Sequence, residues 1–314
     1  MHFHRSTAAS PASVTAAAAA AGHLYVTNQL DDTLSVINAG TNQVTATVPA
    51  GVGPEGVAVT PDGSRVYIAD SGSAQVSVLD TASSKIVATV PVGQSPTGVA
   101  ISPDGQFLYV ANGTSNNVSV IATKTNQVTA TIPVGTSPVN LTVSQNGTTV
   151  YVANMGSASV SVIDTSTNKV VRTLPAGPYP VAVAVTPNGA SVYAANQANA
   201  TVSVTSTGTG KITATIPTGD GPFDVTLAAD GQHAYVAVLG PGNVLAVDTQ
   251  TNRISGTVNV GPPGTDPFSI AVTPTELYVV SQAAGTVTVI DPSSMKITAT
   301  ITVGDSPYGI AVGH

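Results

Sequence analysis

Residues 54–95 read PEGVAVTPDGSRVYIADSGSAQVSVLDTASSKIVATVPVGQS, and the order of apolar runs and turns within them decides the fold. Four short runs, 56–60, 65–69, 75–79 and 85–90, are rich in Val, Ile, Thr and Ala. The β-branched residues among them suit a pleated strand. Turn signals separate the runs: Pro61-Asp62-Gly63, the polar loop 70–74 and the turn 80–84. Glycine at the third place of the first turn supplies a positive φ. No helical 3.6-residue apolar period runs through the stretch, so helices are not expected. Four short antiparallel strands in about 42 residues make one propeller blade.

The unit recurs. Tyr25, Tyr67, Tyr109, Tyr151, Tyr193, Tyr235 and Tyr278 mark the second strand, spaced by 42 five times and then by 43. Pro54, Pro96, Pro138, Pro180, Pro222, Pro267 and Pro307 mark the first, spaced by 42 four times, then 45 and 40. Two markers with seven occurrences each predict an all-β, seven-bladed β-propeller with four antiparallel strands per blade. The unit around Tyr25 lacks its own first strand, and a matching strand stands alone at 307–312. The ring is therefore expected to close by the C-terminal strand pairing in the N-terminal blade, which removes an open edge. The propeller takes up residues 23–314. Residues 1–22 are an Ala/Ser-rich N-terminal tail, read either as a plain unstructured terminus or as the remnant of an export signal.

Composition narrows the function classes. Only 8% of residues are charged and the net charge is −7, which argues against nucleic acid as a partner. Cysteine is absent, so disulfides, thiolate metal sites and a cysteine nucleophile are excluded. No run of 18 apolar residues exists, so no transmembrane segment is expected.

Several repeats resemble the YVTN family of propeller proteins. Tyr25-Val26-Thr27-Asn28 is the motif itself, Tyr109-Val110-Ala111-Asn112 and Tyr151-Val152-Ala153-Asn154 are variants, and Val160 to Asp164 reads Val-Ser-Val-Ile-Asp. The resemblance covers residues 23–314. It implies a propeller and an extracytoplasmic or secreted protein. It implies little about activity, since the family includes surface-layer, secreted binding and uncharacterised proteins. The lack of Trp sets the chain apart from WD40 propellers.

Strand order sorts the charges. Loops between second and third strands share one face, the top, with the links between blades. Asp31, Asp32, Glu55, Asp70, Asp220, Asp224, Asp266 and Asp305 fall there. Every Lys and Arg except Arg5 falls at the bottom, with Lys85, Lys169, Lys211, Arg253 and Lys296 at one repeat position. An acidic top either keeps an apolar protein soluble or attracts a cation, an amine or a basic protein surface.

The repeats deviate along one arc. The residue after each marker proline is Glu55, Thr97, Val139, Val181, Phe223, Phe268 and Tyr308, so three successive blades present aromatics and the next presents Glu. Asp224 follows Phe223, Asp266 precedes Phe268 by two, and Tyr179 stands at the border. In the same region Val238 and Ser281 replace the Asn of the family motif. Glu55, Tyr179, Phe223, Asp224, Asp266, Phe268 and Tyr308 are the candidate ligand-binding residues. Carboxylates and ring faces together suit a small cationic or amine ligand. The plain alternative is that the aromatics plug the channel.

Other chemistry is poorly supported. His23 and His233 open equivalent strands far apart, and His314 nears only the closure seam, so no metal site is read. Top acids are chemically open to Ca²⁺ or Mg²⁺, but no dedicated loop accompanies them. No G-x-S-x-G elbow exists, and no glycine-rich link precedes a helix that would cradle phosphate. No cofactor is expected, and a monomer is. The leading expectation is an extracytoplasmic binding or scaffold propeller that uses its acidic top. The alternative is an enzyme acting on an amine or other small cationic substrate, with Glu55 or Asp224 as the catalytic proton-transfer group. A metal-assisted lactone hydrolase is a weaker one.

Overall fold

The computed structural model describes residues 22–313. Within them, twenty-eight strands, β1 to β28 in chain order, form seven four-stranded antiparallel sheets arranged as a ring. Apart from the strands there are only two single-turn 3-10 helices, Met155–Ser157 and Gln197–Asn199. No helix among these residues is long and apolar enough to cross a membrane. Residues 1–21 of the expected tail and His314 lie outside the described residues.

One blade shows why the sequence folds this way. Its strands are β4 (Pro54–Val59), β5 (Arg65–Asp70), β6 (Gln75–Asp80) and β7 (Lys85–Pro91). The two middle strands are covered on both faces by neighbouring blades, so they are mostly apolar, and five successive residues are buried in β5 and four in β6, Ser77 among them. The outer strand keeps one face in water and reads as an alternation. Seven apolar cores result, each shared by two adjacent blades. The marker tyrosines are buried in them, and some reach the next blade. The Tyr67 hydroxyl donates to Asn126 Oδ1 at 3.0 Å, and the Tyr193 hydroxyl to Asn252 Oδ1 at 2.7 Å.

The first strand starts two residues earlier than the sequence predicts, at Pro54 rather than residue 56, and ends at Val59. Proline has no N–H to give a ladder and is tolerated as the first residue of a strand. Thr60 leaves the strand because it caps the turn, donating Oγ1 to Asp62 Oδ1 at 2.6 Å.

The ring closes as expected. Strand β28 (Pro307–Gly313) pairs antiparallel with β1 (His23–Asn28), in the register Leu24–Val312, Tyr25–Ala311 and Val26–Ile310. The first sheet runs β28, β1, β2 (Thr33–Asn38), β3 (Gln43–Pro49) from the axis outward.

Candidate functional site

Seven inner strands surround the axis: β28, β4, β8 (Pro96–Ile101), β12 (Pro138–Val143), β16 (Pro180–Val185), β20 (Pro222–Leu227) and β24 (Pro267–Val272). Their third residues are Gly309, Gly56, Gly98, Asn140, Ala182, Asp224 and Ser269. The three glycines permit close approach. A Cβ on Gly309 would overlap Glu55 O, one on Gly56 would overlap Thr97 O, and one on Gly98 would stand 2.8 Å from Val139 O. Hydroxyls clasp these joints: Thr27 Oγ1 donates to Glu55 O at 2.6 Å, and Thr97 Oγ1 to Val139 O at 2.7 Å.

On the other arc the joint is made by side chains. Asn140 Oδ1 accepts from Val183 N at 3.1 Å, tying β12 to β16. Asp224 makes the equivalent tie between β20 and β24. Its Oδ2 accepts from Ile270 N at 2.8 Å, and its Oδ1 accepts from Val225 N at 2.8 Å. The Ser269 side chain is a third hydrogen-bond partner. Burial in the channel wall outweighs these bonds and pushes the Asp224 carboxyl up to about 6.

A cup of about 370 Å³ occupies the channel, lined by residues of every inner strand, as far as the fifth residue in β12, β16 and β20, and by Met155 and Gln197 from the top loops. Its size lies within the range of small-molecule sites. Asp224, Phe223, Phe268 and Tyr308 all line it, and Asp224 is the one carboxylate in its lining. The three aromatics pack on one another. The Phe223 and Phe268 rings are 3.7 Å apart between centroids, and Tyr308 meets Phe268 edge-on at 4.9 Å.

Glu55 is held beside the cup. Gln29 Nε2 donates to its Oε1 at 3.1 Å, and Ser71 and Tyr308 also hydrogen-bond its side chain. Desolvation raises its pKa above the usual carboxylate range, against the pull of those three partners. Burial likewise raises the Tyr308 phenol, reinforced by the neighbouring charges of Glu55 and Asp224. Tyr308 therefore stays protonated and donates toward Glu55.

A family model described as a YNCE-like beta-propeller matches residues 9–314. The chain belongs to that family. Solved structures similar to this YNCE-like propeller include hydrazine synthase of Kuenenia stuttgartiensis, with TM-score 0.74, 23% identity, and coverage of 82% of this chain and 88% of that one. A functionally unknown protein from Desulfotomaculum acetoxidans has TM-score 0.78 and 19% identity, over 93% and 99% of the two chains. The dihydro-heme d1 dehydrogenase NirN has TM-score 0.68 and 16% identity, over 96% and 77%. At these identities the likeness is one of fold. No curated protein matches the chain.

The YNCE-like ring brings Phe223, Asp224, Phe268 and Tyr308 into one cup and sets Glu55 against Tyr308. It does not bring the other two candidates there. Tyr179 is 53% exposed, and neither it nor Asp266 lines the cup. Both precede the marker proline in a left-handed turn, with φ 55° and 53°. Two top-face acids are not surface charges: Asp70 is fully buried, and Asp224 stands in the channel wall. Asp31, Asp32, Asp220 and Asp305 are exposed.

Asp70 occupies the place of the motif Asn. In four blades that Asn donates Nδ2 to strand three, as Asn28 does to Ser35 Oγ and Asn112 to Ser119 Oγ, both at 2.9 Å. Asp70 accepts instead, from Ser77 Oγ at 2.6 Å and from Gln75 Nε2 at 3.3 Å. Val238 replaces the polar latch with an apolar one, buried in the same core as Leu245. Its irregularity therefore belongs to blade packing rather than to the cup. Sequence reasoning missed Asn140, Met155 and Gln197. Asn140 was visible in principle, because only it, Asp224 and Ser269 place a polar side chain at the third position of an inner strand.

Proposed function

We propose that this protein is an extracytoplasmic binding propeller that holds a small organic cation in the cup of its channel. One observation carries the reading. Asn140 ties two inner strands together without a charge, whereas Asp224 does the same work with a carboxylate that burial disfavours. The tie between strands needs one acceptor oxygen, which an amide supplies at Asn140; the carboxylate of Asp224 adds a second acceptor, for Val225 N, and a charge that is available to a ligand. The hydrogen bonds from Val225 N and Ile270 N fix the carboxylate in advance, which lowers the ordering cost of binding. Aromatic rings beside it favour a cation, each such contact contributing on the order of 0.5–2 kcal/mol. Exposed Asp31, Asp32, Asp220 and Asp305 on the same face concentrate cations near the mouth. The extracytoplasmic placing rests on the YVTN resemblance alone.

A thermal-shift screen of small amines tests this. At a hundredfold excess over Kd a ligand adds about 2.7 kcal/mol to the folded state. Parent protein is expected to be stabilised and Asp224→Asn not. Equal stabilisation of both would remove Asp224, and with it the reading.

A second reading is favoured by the Asp224 pKa of about 6, which suits a general base near neutrality. It predicts turnover of a bound amine that Asp224→Asn abolishes. The lactone-hydrolase reading lacks a donor set: among the described residues no three His, Asp or Glu side chains converge.

A further inference from the structure

The cup offers more than a counter-charge. Phe223 and Met155 both pack, partly buried, on the apolar core that includes Val181, and all three line the cup. They give the cup an apolar shelf, with Phe223 adjoining Asp224 in the chain and Met155 contributed by a top loop. Met155 reaches it because the top loop after β13 (Thr149–Asn154) winds into a 3-10 turn, Met155–Ser157, before Ala158 reverses the chain at φ 48°. Leu239 opens the corresponding loop in the next blade but one and does not line the cup.

The charge count is equally specific. Asp224 is the only carboxylate in the lining, since Glu55 is held outside it by Gln29, Ser71 and Tyr308. A ligand with two charges would leave one of them desolvated and unpaired, which is strongly unfavourable. A divalent ion fails for the same reason.

We propose that the ligand is an amphipathic monocation, an ammonium group seated at Asp224 and carried on an apolar body that lies along the Phe223–Val181–Met155 shelf. This rests on the reading of the cup as a cation site and specifies the chemical class. The Tyr308 hydroxyl donates to Glu55, so its oxygen is free to accept one N–H of the ammonium. A second N–H goes to the carboxylate. The apolar body displaces water from the shelf, and each methylene buried there is expected to tighten binding about fourfold.

Titration calorimetry on the full chain with methylammonium, butylammonium, hexylammonium and 1,4-diaminobutane tests the class. The expected result is affinity that climbs about fourfold per methylene, with the diamine weaker than butylammonium. Met155→Gln is expected to shrink the gap between hexylammonium and methylammonium by about tenfold. Val181→Thr, which keeps the side-chain shape, should shrink it too and serves where Met155→Gln does not fold. A flat series, or a diamine that binds more tightly than the monoamine, overturns the amphipathic class and leaves the cation site standing. No binding by any of the four overturns both.

Discussion

Asp224 is the residue whose protonation the fold makes informative. Its folded pKa of about 6 lies above the ordinary 3.8, so the folded protein binds this proton more tightly than the unfolded chain does. The stabilising contribution is complete below about pH 4 and is lost as pH rises through 6. The loss is at most about 3 kcal/mol at neutral pH, less whatever solvent in the cup screens. Asp62 and Asp291 run the other way. Turn hydroxyls and amides hold both down to about 2, but these carboxylates are exposed and their share is small. Urea unfolding at pH 4 and pH 7 checks the sign. Asp224→Asn should lack the Asp224 share of the pH dependence and gain on the parent as pH rises. An identical pH difference in both proteins would contradict the buried-carboxylate account. Ligand binding should show the opposite slope and weaken below pH 6, because an ammonium needs the ionised form.

At the scale of the strand, the motif Asn is a latch rather than a surface feature. Asn112 is buried and donates to both Asn117 Oδ1, at 2.7 Å, and Ser119 Oγ, at 2.9 Å, which joins strands two and three of its blade. The glycine of the preceding link packs over it, since a Cβ on Gly93 would stand 2.7 Å from Asn112 Cβ. Asn112→Ala strands the partners and should cost about 1–3 kcal/mol in chemical denaturation. Gly93→Ala should be similarly damaging through overlap, whereas Val238→Ala removes packing only. The repeat spacing makes this position easy to find in the sequence. Its partners are harder to read, because they depend on register: Asp70 tolerates a reversed donor and acceptor pattern only because Gln75 and Ser77 face it.

At the scale of the whole ring, closure and the cup share one strand. β28 completes the first sheet and carries Tyr308 into the cup beside Phe268 and Glu55. Removing residues 307–314 should expose the edge of β1, lower the melting temperature by roughly 10 °C or more, and abolish amine binding. A truncated ring that melts cooperatively at the parent temperature would contradict the register of the seam. The ring is also uneven. Three glycine joints draw β28, β4, β8 and β12 together, and side-chain clamps join β12 to β16 and β20 to β24.

The sequence by itself determined the seven-fold repeat, the four strands per blade, the closing strand and the arc of aromatics. These follow from periodicity and turn chemistry, which act over a few residues and repeat. Only the tertiary structure decided that Tyr179 and Asp266 stand apart from the cup, that Asp70 is buried, and that Met155 joins Asp224. Those outcomes turn on the register that sets Gln75 and Ser77 against Asp70 and on which inner strands and top loops meet around the axis. There, side-chain direction and close backbone approach outweigh any local signal.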